Sequence, residues 1–407
     1  MATAPQGRRP VKRIQQETRY DFLSLAVDRE PGDVVSEFSA EIDAALERAI
    51  EDDLEVAWLQ GQSCTGCTIS LLQGEYPGDT FQLERFRESI GFHPTLMTDA
   101  GDRALESIET APDVLVIEGS IPVEVPRSAT LGVDRFGNRR PIVDWVMELA
   151  ERAEVVVAVG SCAAYGGLPA AGKRDPEAAR PSPTGASGVQ FDGIDPGGVV
   201  GPAFTTGADL PVINVPGCPV HPDHILLTLA TVLNGHTPTL DEFNRPLPLF
   251  TPLIHDDCAR RPDYEAKNFA SEPGEDGCLY EVGCAGVHAH CDDSKRLRNG
   301  ETTICRDVGA PCIGCVEPAF WDRFTPFYET RETREEVDEP EPIDESEPLI
   351  PRPGNSLAGL LIAIPVCLLL VPLLPVFGTV WLLDRWVGPD GPIAWRDDPR
   401  NRTVGDR

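Results

Sequence analysis

From about residue 52 to 240, short apolar runs alternate with stretches of helical periodicity. Leu54–Leu59, Val114–Ile117, Val155–Val159 and Val212–Val215 read as near-continuous apolar runs rich in β-branched residues, interrupted by Glu55 and Asn214. That is the pattern of strands buried on both faces. Helical patterns near Ile69–Gln73, Ile142–Ala150 and His224–Leu233 lie between or after them. Such alternation predicts an α/β domain over 52–245, built on a doubly wound parallel sheet. Before it, residues 1–51 form a polar, Arg-rich extension that turns acidic and amphipathic over Phe38–Ile50, predicting a helix packed on the surface.

After the sheet region the periodicity fails. Residues 246–328 carry little regular patterning and most of the cysteines, which predicts a small loop-rich unit that needs metal to fold. Residues 329–355 are an acidic, Pro-rich linker, extended and solvated. Leu357–Leu383 then runs 27 residues without a charge, longer than a bilayer crossing requires. One C-terminal transmembrane helix is therefore expected within 356–387, followed by a tail, 388–407. Pro365, Pro372 and Pro375 fall inside the span, which membrane helices tolerate, and Trp381 and Trp386 stand near one end.

Charge narrows the partners. The chain has 66 acidic against 35 basic side chains, a net of −31, and its lysines are Lys12, Lys173, Lys267 and Lys295 alone. Such a surface repels polyanions, so no nucleic acid is expected as a partner. An acidic, Lys-poor surface also suits molar salt, and a halophilic source is the expectation. Unfolding followed against KCl concentration tests it, and full stability in dilute buffer would refute it.

The candidate chemistry lies in twelve cysteines. Cys64 and Cys67, Cys162, and Cys218 each sit in a loop just after a predicted strand; Cys258, Cys278, Cys284, Cys291, Cys305, Cys312 and Cys315 follow densely, and Cys367 lies in the apolar stretch. Disulfide density belongs to small secreted scaffolds without a core, which this long chain is not. Zinc favours two compact Cys-x-x-Cys pairs, and Cys64-x-x-Cys67 has no second pair nearby. Iron–sulfur ligation therefore ranks first, zinc second and disulfides last. Ligands of open α/β sheets bind at the carboxyl ends of strands, so three loops are expected to bring four thiols to one edge. Gly167 to Lys173 has the glycines and lysine of a phosphate loop. Arg174 replaces its Ser/Thr and a proline interrupts it, so nucleotide binding is rejected.

The loops read Trp58-Leu-Gln-Gly-Gln-Ser-Cys64-Thr-Gly-Cys67, Gly160-Ser-Cys162-Ala-Ala-Tyr-Gly-Gly167 and Val215-Pro-Gly-Cys218-Pro-Val-His-Pro222. Downstream stand His255-Asp-Asp-Cys258-Ala-Arg-Arg, Cys278-Leu-Tyr-Glu-Val-Gly-Cys284 and Pro311-Cys312-Ile-Gly-Cys315-Val-Glu-Pro318. In this order, over residues 54–328, they resemble the small subunit of [NiFe] hydrogenases. The resemblance implies a flavodoxin-like first domain, a loop-rich iron–sulfur domain and three clusters. Cys64, Cys67, Cys162 and Cys218 match the proximal [4Fe–4S] site, and His255, Cys258, Cys278 and Cys284 the distal [4Fe–4S] site. Cys291, Cys312 and Cys315 match the medial site. Cys305 stands where many members have proline, which implies a fourth ligand and a medial [4Fe–4S] cluster, with [3Fe–4S] as the alternative. Gly66 occupies the position of an additional cysteine found in oxygen-tolerant membrane-bound members, which argues against their modified proximal cluster.

The implied role is electron relay between the nickel–iron site of a separate large subunit and a membrane acceptor, a cytochrome b or quinone-linked partner, with hydrogen oxidation as the favoured direction. No residue of this chain is then catalytic. His221 and Glu118-Gly119, beside the proximal loops, are expected to shape the contact between the two subunits. A complex I-like subunit is the alternative that shares the first domain but not the dense second unit; a stand-alone electron carrier is the other. Arg385, Arg396, Arg400, Arg402 and Arg407 follow the apolar span, which places the tail inside and the cluster domain on the outer face of the cell membrane in a single pass. Arg8-Arg9 lacks the apolar stretch of an export signal, which opposes that orientation.

Overall fold

The computed structural model describes residues 21–25, 42, 54–74, 90–109, 111–133, 136–173, 182–299 and 302–330. Five strands build its central sheet: β1 (Val56–Gln60), β2 (Ile90–Phe92), β3 (Val114–Glu118), β4 (Val155–Val159) and β5 (Ile213–Val215). Their spatial order is β5-β4-β3-β1-β2, and every pairing is parallel. This is the flavodoxin-like order, in which the chain switches direction between β1 and β3.

Parallel strands stay buried because crossover helices cover both faces. The five principal helices are α1 (Gly66–Leu72), α2 (Asp102–Glu109), α3 (Ile142–Ala150), α4 (Ser161–Tyr165) and α5 (Pro222–Leu233). Val56, Trp58, Val116, Val157 and Val215 face one side, where α5 packs Ile225, Leu227, Leu229 and Val232 against them. Ala57, Leu59, Leu115, Ile117 and Val156 face the other, covered by Ile108 of α2 and by Trp145, Val146 and Leu149 of α3. Alternate residues of a strand point to opposite faces, so a run apolar at every position is what two covered faces demand.

The expected strands are present with ends shifted by one or two residues, and β4 and α3 have the expected bounds. The sequence pattern did not announce β2 or α2. β2 is a three-residue edge strand whose central Gly91 is exposed. α2 turns only Ala104 and Ile108 fully inward among its described side chains.

Beyond residue 246 regular structure shrinks to single turns: Leu247–Phe250, Arg261–Glu265, Asp293–Arg296 and Phe320–Arg323. This segment shares its core with the sheet domain, because Ile254, Leu279, Val282, Cys291 and Val316 belong to the same apolar cluster as α5. A buried ion pair fastens the seam. Arg245 donates from Nε to Asp241 at 2.7 Å and from Nη1 to Glu317 at 3.2 Å, and removing one partner of such a pair costs about 3–5 kcal/mol.

Ile42 is helical and fully buried with Phe22 and Leu23; the rest of the expected helix at 38–50 lies outside the described residues. So do the acidic linker, the apolar span and the tail. Among the described residues no helix is long and apolar enough to cross a membrane.

Candidate metal centres

Three groups of cysteines gather along the sheet's carboxyl edge and into the loop-rich segment. The first uses loops after three strands. Cys64 and Cys67 follow β1, with Cys67 in the first turn of α1; Cys162 follows β4 in α4; Cys218 follows β5. The backbone leaves room for the sulfurs: Gly160 has φ 93°, and a Cβ there would lie 2.8 Å from Cys67 Sγ. A Cβ at Gly66 would lie 3.0 Å from Cys64 Sγ, so this position too is closed to a larger residue without movement.

Burial and mutual repulsion penalise thiolates in this group. Burial raises the Cys67 pKa, followed by Glu118, and then by Cys162 and Cys218. Cys162 is pushed up to about 12, by burial and then by Cys218 and Cys64. Burial and then Cys64 raise Cys218. Buried thiols whose ionisation is opposed in this way by their neighbours, as for Cys67, Cys162 and Cys218, are held ionised together by a cation.

Glu118, at the end of β3, lies under this group and is almost wholly buried. Its Oε2 accepts from Trp58 Nε1 and Gln60 Nε2, both at 3.1 Å, and from Thr68 Oγ1 at 2.5 Å. Its Oε1 accepts from Ser63 Oγ at 3.0 Å, Cys67 N at 3.2 Å and Thr68 N at 3.4 Å. All six partners are donors, the set that an ionised carboxylate accepts. His221 is buried as well, with Nδ1 accepting from Asp223 N at 3.1 Å and Nε2 against the Leu297 carbonyl. Both side chains point inward and not to the intersubunit surface expected for them: Glu118 pins α1 beneath Cys67, and His221 caps α5.

The second group lines one small pocket: His255, Cys258, Cys278 and Cys284, with Ile254, Tyr280 and Arg306 among its walls. Burial raises the Cys278 pKa, followed by Cys284 and Cys258. His255 meets Tyr264 edge to face at 4.6 Å between centroids. Burial and then Arg261 lower its pKa, which favours the neutral imidazole that ligates metals.

The third group is Cys291, Cys312 and Cys315. Cys315 is pushed up to about 12, with burial the largest cause, and burial also raises Cys291 and Cys312. Cys305 is exposed, at the edge of this group. The Tyr328 phenol, raised first by burial, feels the charges of both Cys305 and Cys312.

The groups adjoin one another. Cys315 interacts electrostatically with Cys218 of the first group, and Ser161 Oγ, next to Cys162, donates to the Cys315 carbonyl. Cys312 interacts with Cys284 of the second group. The loop-rich group containing Cys315 therefore stands between the other two.

A single tetrahedral ion would hold its sulfurs about 3.8 Å apart. Among the described residues only His224, Cys291, Asp292 and Asp293 bring ligand atoms within 4.8 Å of one another. Most of that set is engaged by other side chains, while His224 Nδ1 and Asp293 Oδ1 have no hydrogen-bond partner among the described residues. Asp292 binds His224 Nε2 at 2.6 Å and Arg296 Nη2 at 2.6 Å, and Asp293 binds Arg298 at 2.8 Å. Against the burial that opposes ionisation, Arg296 and Arg298 hold these carboxyls well below the usual range. The thiol groups themselves are wider than one ion spans, which fits polynuclear clusters.

Sequence reasoning missed this ionic network. Its signal was the i,i+4 pair Asp292/Arg296 directly after a cysteine. Lys173 of the rejected phosphate loop is engaged within the fold, with Nζ 2.9 Å from Asp192 and 3.3 Å from the Ala186 carbonyl.

With the geometry in hand, known proteins give the family. Residues 64–232 match the family described as NADH ubiquinone oxidoreductase, 20 Kd subunit. Residues 250–328 match the C-terminal region of the NiFe/NiFeSe hydrogenase small subunit. The chain is 35% identical to the F420 non-reducing hydrogenase II small subunit of Methanosarcina mazei, covering 72% of this chain and 78% of that protein. It is 34% identical to the quinone-reactive Ni/Fe-hydrogenase small chain of Wolinella succinogenes, covering 69% and 75%. The solved [NiFeSe]-hydrogenase of Dm. baculatum superposes with a TM-score of 0.56 at 34% identity, covering 68% of this chain and 99% of that one. The chain belongs to the family of [NiFe] hydrogenase small subunits, oxidoreductases acting on hydrogen.

Proposed function

We propose that this chain is the electron relay of a hydrogenase, carrying electrons from a large subunit's nickel–iron site to a membrane acceptor through three iron–sulfur clusters. Cys64, Cys67, Cys162 and Cys218 hold the proximal [4Fe–4S] cluster. Cys291, Cys305, Cys312 and Cys315 hold a medial [4Fe–4S] cluster, and His255, Cys258, Cys278 and Cys284 the distal one. The clusters, when bound, supply one-electron redox steps. The protein supplies their spacing, dry surroundings and hydrogen bonds to sulfur. The observation that supports this reading most is the chain of adjacency from Cys218 to Cys315 and from Cys312 to Cys284. It supports an order in which the electron passes from the proximal through the medial to the distal site.

Iron and acid-labile sulfide quantitation on the purified complex of large and small subunits, with EPR of its oxidised and reduced forms, tests the relay. Three [4Fe–4S] clusters require about 12 iron atoms in this chain. Zinc in place of iron, or iron for a single cluster, would refute it.

The apolar span Leu357–Leu383 anchors the protein, and a quinone-linked partner such as a cytochrome b takes the electrons. The quinone-reactive name of the Wolinella relative supports that acceptor. With the tail inside, the cluster domain faces outward. Protease added to intact spheroplasts should then digest it, and survival of the domain until lysis would refute the orientation.

A further inference from the structure

Arg306 lines the His255 pocket, yet it is not one of the metal-binding residues. It is buried, and its guanidinium is held from two sides. Nε donates to Cys258 Sγ at 3.3 Å, and Nη2 donates to Ser294 Oγ at 2.6 Å. Ser294 Oγ in turn donates to the Ile254 carbonyl at 2.9 Å, which fixes the fork.

Its charge environment differs from that of the neighbouring arginines. Arg245 faces Asp241 and Glu317, Arg296 faces Asp223 and Asp292, and Arg298 faces Asp293. Among the described residues no carboxylate lies within ion-pair distance of Arg306. The negative charges that bear on it are the thiolates of Cys312, Cys258 and Cys284. A buried cation is costly unless an anion compensates it. Here the compensating groups are the metal-binding sulfurs of two adjoining sites: Cys258 and Cys284 on one side, Cys312 on the other.

We propose that Arg306 sets the potentials of the last step of the relay: its cation stabilises the reduced medial and distal clusters, and its hydrogen bond to Cys258 favours the distal one. The inference rests on the cluster assignment given above. An electron arriving on a cluster adds negative charge, so a nearby cation and an N–H donated to a ligand sulfur both favour the reduced form. The charge acts on both sites, but the directed N–H···S bond acts only on the distal one. Arg306 thereby favours the distal cluster over the medial one as the electron's destination. In the step itself one electron leaves the medial cluster, which is oxidised, and enters the distal cluster, which is reduced. No bond is made or broken. Hydrogen at the large subunit is the reductant, and the membrane quinone is the oxidant.

EPR-monitored redox titration of the intact complex of large and small subunits tests this, with iron quantitation to fix cluster occupancy. Arg306→Gln should lower the distal midpoint potential most and the medial one less, and leave the proximal one unmoved. Hydrogen-driven reduction of an external acceptor should slow while hydrogen–deuterium exchange at the large subunit is unchanged. Arg306→Lys keeps the charge but not the planar Nε–H, so it should hold the medial potential and lower only the distal one. An unchanged distal midpoint in Arg306→Gln at full occupancy would overturn the proposal. So would loss of the distal cluster from both variants, which would make the residue structural. A wild-type complex with no His255-ligated cluster would instead refute the relay itself.

Discussion

Removing the Glu118 carboxylate should destabilise the proximal end of the fold far more than a typical surface change. In Glu118→Ala, Ser63 and Gln60 can turn to water, because both are partly exposed. Trp58 Nε1 and Thr68 Oγ1 cannot, since both side chains are fully buried. Each buried donor left without an acceptor costs about 1–3 kcal/mol, so the two together cost roughly 2–6 kcal/mol before any cavity contribution. Glu118→Gln is not a gentle alternative. Each carboxylate oxygen receives three donors, and the amide –NH2 must face one of those triplets donor to donor. About half the alanine cost is expected, on the order of 1–3 kcal/mol. The assay is guanidinium unfolding of the purified complex followed by tryptophan fluorescence, with the proximal cluster's EPR intensity measured on the same samples. Because Cys67 N and Thr68 N also lose their acceptor, that intensity should fall with stability. If both variants stay within about 0.5 kcal/mol of wild type, the ordinary surface range, the carboxylate does not pin the helix.

Three further outcomes follow from the site. Cys305→Pro should convert a medial [4Fe–4S] cluster to [3Fe–4S], read as a new EPR signal in the oxidised complex. The bond from Ala310 N to the Cys305 carbonyl, at 2.9 Å, survives the change, and an unaltered spectrum would exclude Cys305 as a ligand. His255→Ala should spare hydrogen–deuterium exchange but slow electron delivery, and equal turnover with every acceptor would remove it from the site. His93 is buried, with Nδ1 accepting from Thr95 N at 3.1 Å, and burial lowers its pKa to about 4. The unfolded chain therefore takes up this proton from about pH 6.5 downward while the fold resists until near 4, so stability falls as pH drops through that window, by about 3 kcal/mol. His93→Gln should flatten this part of the stability curve, and parallel curves for the two proteins would refute the assignment.

What could be read from the sequence divides along a physical line. β1, β3, β4 and β5 were legible because strands covered on both faces are apolar at nearly every position. A three-residue edge strand carrying an exposed glycine offers no such run. That the cysteine loops gather at the sheet's carboxyl edge was legible because cysteine is rare and each loop follows a readable strand. Arginine and glutamate are different: the same residue types cover the surface of this chain, and composition does not distinguish a buried one. Glu118 directly follows a predicted strand, so its place at the sheet edge could be read. Its inward aim depends on Trp58 and Gln60 of β1, Ser63 of the following loop and Thr68 of α1, and the sequence reading turned it outward to a partner surface. Arg306 is likewise anonymous in a chain whose basic residues are nearly all arginines. Only the fold brings it to Cys258.

Charge in this protein has two separate tasks. The chain carries a net charge of −31, and among the described residues most carboxylates meet solvent, where each is screened within about 10 Å at ordinary salt. Inside, a few charges act at short range and low dielectric, and their pairing decides what they do. Asp292 and Asp293 follow Cys291 directly and raise its thiol pKa, after burial. Arg296 and Arg298 answer them, so the net charge beside Cys291 is nearly balanced. Arg306 has no such answer among the described residues except sulfur. The medial site thus has a compensated side toward Cys291 and a cationic side toward Cys312 and the distal pocket. On the proposed assignment the cysteines and His255 set where clusters sit, and the pairing of these few charges is expected to set how readily each takes an electron. Two relatives sharing every ligand but differing at 292, 293, 296, 298 or 306 would carry the same path at different potentials, and exchanging those residues between them should exchange the potentials.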